Sequence, residues 1–167
     1  MIDKKETALK NKRIAETAAA AALALVLGYV ETLIPIPFPI PGIKLGLSNL
    51  CLLFVIYRLG AKTAWAVMLI KVILSALLIS GFQAFWFSFA GGVFSMGTMI
   101  ALKRFFSVYG VSVLGGIMHN IGQLSAAALV MKTTAVFLYL PPLLISGAVC
   151  GILIGILCRL ALAYIPK

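Results

Sequence analysis

Long apolar runs dominate the chain, and five short breaks rich in proline, glycine or basic residues interrupt them. A membrane-spanning helix needs about 20 mainly apolar residues. The breaks leave six such candidates, at about residues 14–34, 46–58, 61–80, 84–102, 110–131 and 138–163. The sharpest break is Pro35-Ile36-Pro37-Phe38-Pro39-Ile40-Pro41-Gly42, where alternate prolines remove donors and fix φ. Softer breaks fall at Arg58-Leu59-Gly60 with Lys62, at Ser80-Gly81, from Lys103-Arg104 to Gly110, and from Lys132-Thr133-Thr134 to Pro141-Pro142. Connections this short join neighbouring antiparallel helices. The expected fold is therefore all-α: one six-helix transmembrane bundle over residues 1–167, with a proline-rich outer loop at 35–45 and no soluble domain.

Composition agrees with this pattern. Of 167 residues, 63% are hydrophobic and 11% charged, where a soluble domain of this size is about a quarter charged. A net charge of +10 invites a nucleic-acid reading, which the placement of the charges argues against. With the N-terminus inside, Lys4, Lys5, Lys10, Lys12, Arg13, Arg58, Lys62, Lys103, Arg104, Arg159 and Lys167 all fall on the cytoplasmic face. They are eleven of the fourteen basic residues. Such a bias is how membrane proteins set their orientation. Both termini are then cytoplasmic, and no nucleic-acid partner is expected. A cleaved signal peptide is the competing account of the first run, but Glu31 and the prolines stand where a small-residue cleavage site belongs. Cys51, Cys150 and Cys158 lie inside apolar runs, form no CxxC pair and receive no role.

Ionisable groups inside a span are costly and mark a site or a pair. Lys71 falls about 15 Å into the third span, near the midplane. Glu31 lies in the outer third of the first and could meet it as an orienting ion pair or share a ligand with it. In the fifth span His119 and Gln123, four apart, share a helix face, with Asn120 beside them. Ligand contact and interhelical hydrogen bonding both fit this trio. The run Pro41-Gly42-Ile43-Lys44-Leu45-Gly46-Leu47-Ser48-Asn49 combines glycines, a helix N-terminus and a positive charge, which suits an anion or serves as a rigid lid and cap. Gln83, Trp86 and Lys132 sit at the other outer turns, where Trp is also an ordinary interface anchor. The candidate substrate-binding residues are thus Glu31, Lys44, Asn49, Lys71, Gln83, Trp86, His119, Asn120 and Gln123. With Lys44, Lys71 and Lys132 set against Glu31, the ligand is expected to be anionic or strongly electron-rich, and Trp86 with the apolar surroundings suggests a flat or hydrophobic remainder.

Small residues form two further patterns. Ala18 and Ala22, or Ala15 and Ala19, make a small-xxx-small face on the first span, and Gly147, Gly151 and Gly155 make another on the sixth. Either serves internal packing or a partner helix. The sequence holds no phosphate-loop, HExxH or GxSxG motif, and Asp3 is its only aspartate. Magnesium-dependent prenyl diphosphate chemistry would want paired carboxylates. Neither catalysis nor a metal or other cofactor is expected of the chain.

The run PGIKLGLSN at 41–49, HNIGQL at 119–124 and the six-span layout resemble the Gx transporter family, whose members are often labelled heptaprenyl diphosphate synthase component I. Nearly the whole chain takes part in the likeness. That family is in turn similar to the S components of energy-coupling factor transporters, six-helix subunits that capture a small compound from outside. The resemblance implies a bacterial plasma membrane location, a ligand pocket capped by segment 35–45, and a role for Ala18 and Ala22 in contacting a transmembrane coupling subunit driven by ATPase subunits. A noncatalytic membrane partner of a polyprenyl diphosphate synthase is the other function the family label implies.

Overall fold

The computed structural model describes residues 4–34 and 45–164, all of it helices and the turns between them. Six α-helices follow one another: α1 (Lys4–Leu33), α2 (Leu47–Arg58), α3 (Ala61–Ser75), α4 (Gly81–Leu102), α5 (Val108–Met131) and α6 (Leu140–Tyr164). A π-helical turn, Ala76–Ser80, extends α3, and a 3-10 turn, Ala135–Tyr139, leads into α6. Most of the loop 35–45, including Lys44, lies outside the described residues.

Local chemistry explains the boundaries. α1 starts about ten residues before the apolar run, because the basic segment is itself helical, with Lys12 and Glu16 paired at 3.9 Å one turn apart. Ser107 caps α5 by accepting the Gly110 N–H. Pro141 and Pro142 do not separate the last two helices as a break would. They occupy the first turn of α6, where a missing N–H goes unnoticed.

Four helical stretches have the length and apolarity to cross a membrane: Glu6–Leu33, Ala61–Leu102, Val108–Met131 and Ala135–Tyr164. The second is a hairpin. Gly81 adopts φ +80 at the junction, and Met68 packs against Gly92, so α3 and α4 double back on each other. At 12 residues, α2 is only about 18 Å long against a core of about 30 Å. Cys51, Leu52, Leu53, Val55 and Ile56 are all buried, which makes α2 a core helix wrapped by α1, α3 and α6.

α5 lies between α4 and α6 on two glycine-lined seams. On one side a Cβ at Gly122 would stand 2.7 Å from the Ala90 carbonyl oxygen, and one at Gly115 would stand 2.6 Å from Met99 Cγ. On the other, Gly116 meets the Gly147 backbone, Gly151 meets Val113, and Gly155 meets Tyr109. The glycine row of α6 is therefore internal packing, with backbones in contact. These contacts make the neighbours antiparallel, so Arg58, Lys62, Lys103, Arg104 and Arg159 gather at the end where α1 begins.

Candidate functional site

A cavity of about 310 Å³ lies among all six helices and extends from Ile34, Leu45 and Ser80, at the end away from the basic cluster, down to Ser112 and Ile154. α1 contributes Gly28, Glu31 and Thr32, α2 contributes Ser48, Asn49 and Leu53, and α3 contributes Lys71 and Ser75. Ser88, Ser95 and Met99 come from α4, and Gly147, Cys150 and Gly151 from α6. α5 presents Ser112, Gly115, Gly116, His119, Asn120 and Gln123 on one continuous face.

Glu31 is buried at 7% exposure, and its Oε1 accepts the Gly46 N–H at 2.6 Å. Gly46 precedes α2 in the left-handed conformation at φ +80 and offers no side chain to cap it. A carboxylate from α1 therefore closes the α2 N-terminus, where the helix dipole places about half a positive charge. Lys71 reaches the same wall. Its Cε would lie 3.8 Å from a Cβ at Gly28, one turn below Glu31 on α1. Lys71 and Glu31 thus line one cavity wall, together with the N–H of Gly46 that precedes α2.

On α5, His119 and Gln123 pack over Gly91 of α4, where a Cβ would stand 2.9 Å from His119 Cε1 and 2.8 Å from Gln123 Cγ. Asn120 turns to α6 and donates from Nδ2 to the Leu143 carbonyl at 2.6 Å while still lining the cavity. The trio therefore divides, with Asn120 bridging helices and all three bordering the same space.

Of the nine expected substrate-binding residues, Glu31, Asn49, Lys71, His119, Asn120 and Gln123 line the cavity. Gln83 and Trp86 do not. Gln83 is exposed, and Trp86, 47% exposed, packs edge-on to Phe82 and Phe85 on the outside of the bundle. Lys132 is exposed at the C-terminal cap of α5 and does not line the cavity either. Lys44 lies outside the described residues. No Phe, Tyr or Trp side chain lines the cavity among the described residues, so Trp86 has no counterpart there.

What the sequence reading missed is most of the hydroxyls: Thr32, Ser75, Ser80, Ser88, Ser95 and Ser112, which join Ser48 of the 41–49 run. Part of the signal was available. Ser88 and Ser95 are seven apart, as are Ser112 and His119, the spacing that returns side chains to one helix face. Ser75 and Ser80, five apart, come together only through the π turn, and their hydroxyls lie 3.3 Å from each other. Among the described residues no three or more His, Cys, Asp or Glu side chains cluster as a metal site would require.

On the outer surface of α1, Ala15, Ala18, Ala19 and Ala22 are exposed, while Ala21 and Ala24 are buried against the core. Among the described residues no helix covers the Ala18–Ala22 face, unlike the glycine row of α6.

Residues 20–161 match the family model described as heptaprenyl diphosphate synthase component I. The chain belongs to that family. No curated protein and no solved structure matches it. Family membership and the long apolar helices together make it a membrane protein of the component I type.

Proposed function

We propose that this component I protein is the substrate-capturing membrane subunit of an uptake transporter of the energy-coupling factor type. The cavity among the six helices is the observation that carries the reading. A space of about 310 Å³ lined by a few convergent polar groups is ordinary for a small-molecule site, where pockets run from about 300 to 1,000 Å³. Its position fits capture from outside, because the basic cluster at the opposite end marks the cytoplasmic face under the positive-inside rule. Both termini are then cytoplasmic.

Charge favours a ligand with an anionic group. Lys71 and Glu31 cancel formally, and the α2 N-terminus adds about half a positive charge beside them. A bound anion offsets that excess in a low-dielectric site. Glu31, Asn49, Lys71, His119, Asn120 and Gln123 are the residues assigned to binding. The exposed Ala18–Ala22 face supports docking of a transmembrane coupling subunit, with separate ATPase subunits as the energy source. Under this reading the chain is not itself an enzyme.

The family's name favours a second reading, a noncatalytic membrane partner of a prenyl diphosphate synthase. Such a partner would dock at the basic end, where the links are short, Leu59-Gly60 between α2 and α3 and residues 103–107 between α4 and α5. Affinity purification from native membranes separates the two. Recovery of a membrane subunit with ATPases supports capture, and recovery of a soluble prenyl synthase alone contradicts it.

A further inference from the structure

Ser95 is 2% exposed, and its Oγ has no hydrogen-bond partner among the described residues. A hydroxyl inside a helix ordinarily bonds the carbonyl four residues back, as Thr98 does with Phe94 and Ser125 with Ile121. Ser95 instead turns toward α5, with its Oγ 3.4 Å from where a Cβ on Gly115 would stand, and it lines the cavity. Ser112, 4% exposed, lines the cavity from α5 more than a turn deeper. A buried hydroxyl left unmet is costly, so whatever fills the cavity has to satisfy it.

The level of this stretch follows from packing. Met68 sits against Gly92, and the helices are antiparallel, so Lys71 stands level with about Phe89. Ser95 is six residues below, about 9 Å at 1.5 Å per residue. Resting on the capture function proposed above, we infer that Ser95 forms an inner subsite that hydrogen-bonds a hydroxyl or carbonyl on the end of the ligand that enters first, at a level about 9 Å below that of Lys71. The ligand class is a small molecule polar at both ends. A prenyl or fatty chain of the same length would leave the Ser95 hydroxyl stranded against hydrocarbon, so the subsite selects against it.

Octanoate and ω-hydroxyoctanoate make a matched probe pair, each with a carboxylate for Lys71 and a chain of comparable span. Titration calorimetry on the purified protein in detergent should show ω-hydroxyoctanoate binding at least about tenfold more tightly, the worth of one well-placed hydrogen bond. Ser95→Ala should bring the two acids to within about twofold of each other by weakening only the hydroxylated one. Ser95→Cys, which keeps the volume but bonds weakly, should do the same and guards against misfolding of the first variant. Equal binding of the two acids by the wild type, or a preference that survives in both variants, overturns the subsite and leaves the capture function standing. Failure of the wild type to bind either acid also overturns the subsite, and the capture function is then decided by the small molecules that copurify with the protein.

Discussion

Glu31 on α1 and Gly46 at the start of α2 are joined by a 2.6 Å hydrogen bond from the Gly46 N–H to the Glu31 carboxylate. The bond pins α2, which is too short to cross a membrane by itself, at a defined height beside the cavity. It also fixes one wall of the site, since Lys71 lies against Gly28 one turn below Glu31.

Removing that carboxylate should loosen the α2 N-terminus. Glu31→Ala is expected to destabilise the bundle by about 1.5–3 kcal/mol, the usual worth of a hydrogen bond to a charged group. Glu31→Gln, which keeps an acceptor, should cost less. Thermal unfolding in detergent provides the comparison, and an unchanged midpoint for Glu31→Ala would show that the bond holds nothing in place.

The seam between α5 and α6 makes a second, sharper case. A Cβ at Gly116 would stand 2.6 Å from the Gly147 carbonyl oxygen, a backbone atom that cannot step aside. Gly116→Ala should therefore push the helices apart and cost about 1–3 kcal/mol. Gly97, with nothing within 4 Å of its Cβ position, is the control. Gly97→Ala should leave stability unchanged or raise it by up to about 1 kcal/mol through the gain in helix propensity. Equal effects at the two glycines, read by unfolding, would mean that the seam is looser than its backbone contacts indicate.

Much of this architecture is legible in the residues because length and apolarity are read directly from a one-dimensional pattern. The helix breaks at Gly60 and Gly81 fall where the chain turns, and both glycines have positive φ. Burial inside the bundle is harder to see, because a lipid-facing helix and a core helix are equally apolar. That is why α2 reads as a span and turns out to be wrapped by its neighbours. The same difficulty governs the site. Charged and amide groups such as Glu31, Lys71 and Gln123 announce themselves in an apolar run, whereas Ser88, Ser95 and Ser112 pass as small residues. Gln83 and Trp86 sit at the right height but on the wrong face, and height alone does not reveal which side of α4 meets the cavity.

The exposed alanine face should matter to partners and not to folding. Ala18→Trp is expected to abolish copurification of a coupling subunit and leave the unfolding free energy within about 0.5 kcal/mol of the wild type, as for surface substitutions generally. Its exposure leaves room for the larger side chain. Undiminished recovery of partner subunits with Ala18→Trp would assign the docking surface elsewhere.

Orientation is open to a direct check. A cysteine placed at Lys4 should react with a membrane-impermeant thiol reagent only after cells are opened, since the proposed orientation puts the basic end of the bundle in the cytoplasm. Labelling of that cysteine in intact cells would invert the topology and close the cavity to the outside.

The central claim is that the cavity beside Lys71 and Glu31 captures a small molecule. Its most direct test is mass spectrometry of the small molecules that remain bound to the protein purified from its own membrane, compared with Lys71→Met purified in parallel. A compound bearing an anionic group should accompany the wild type and fall at least about tenfold in Lys71→Met, a loss of ~1.4 kcal/mol, while the variant keeps its unfolding midpoint. Equal retention of every compound by the two proteins, or none enriched on the wild type, would contradict the account.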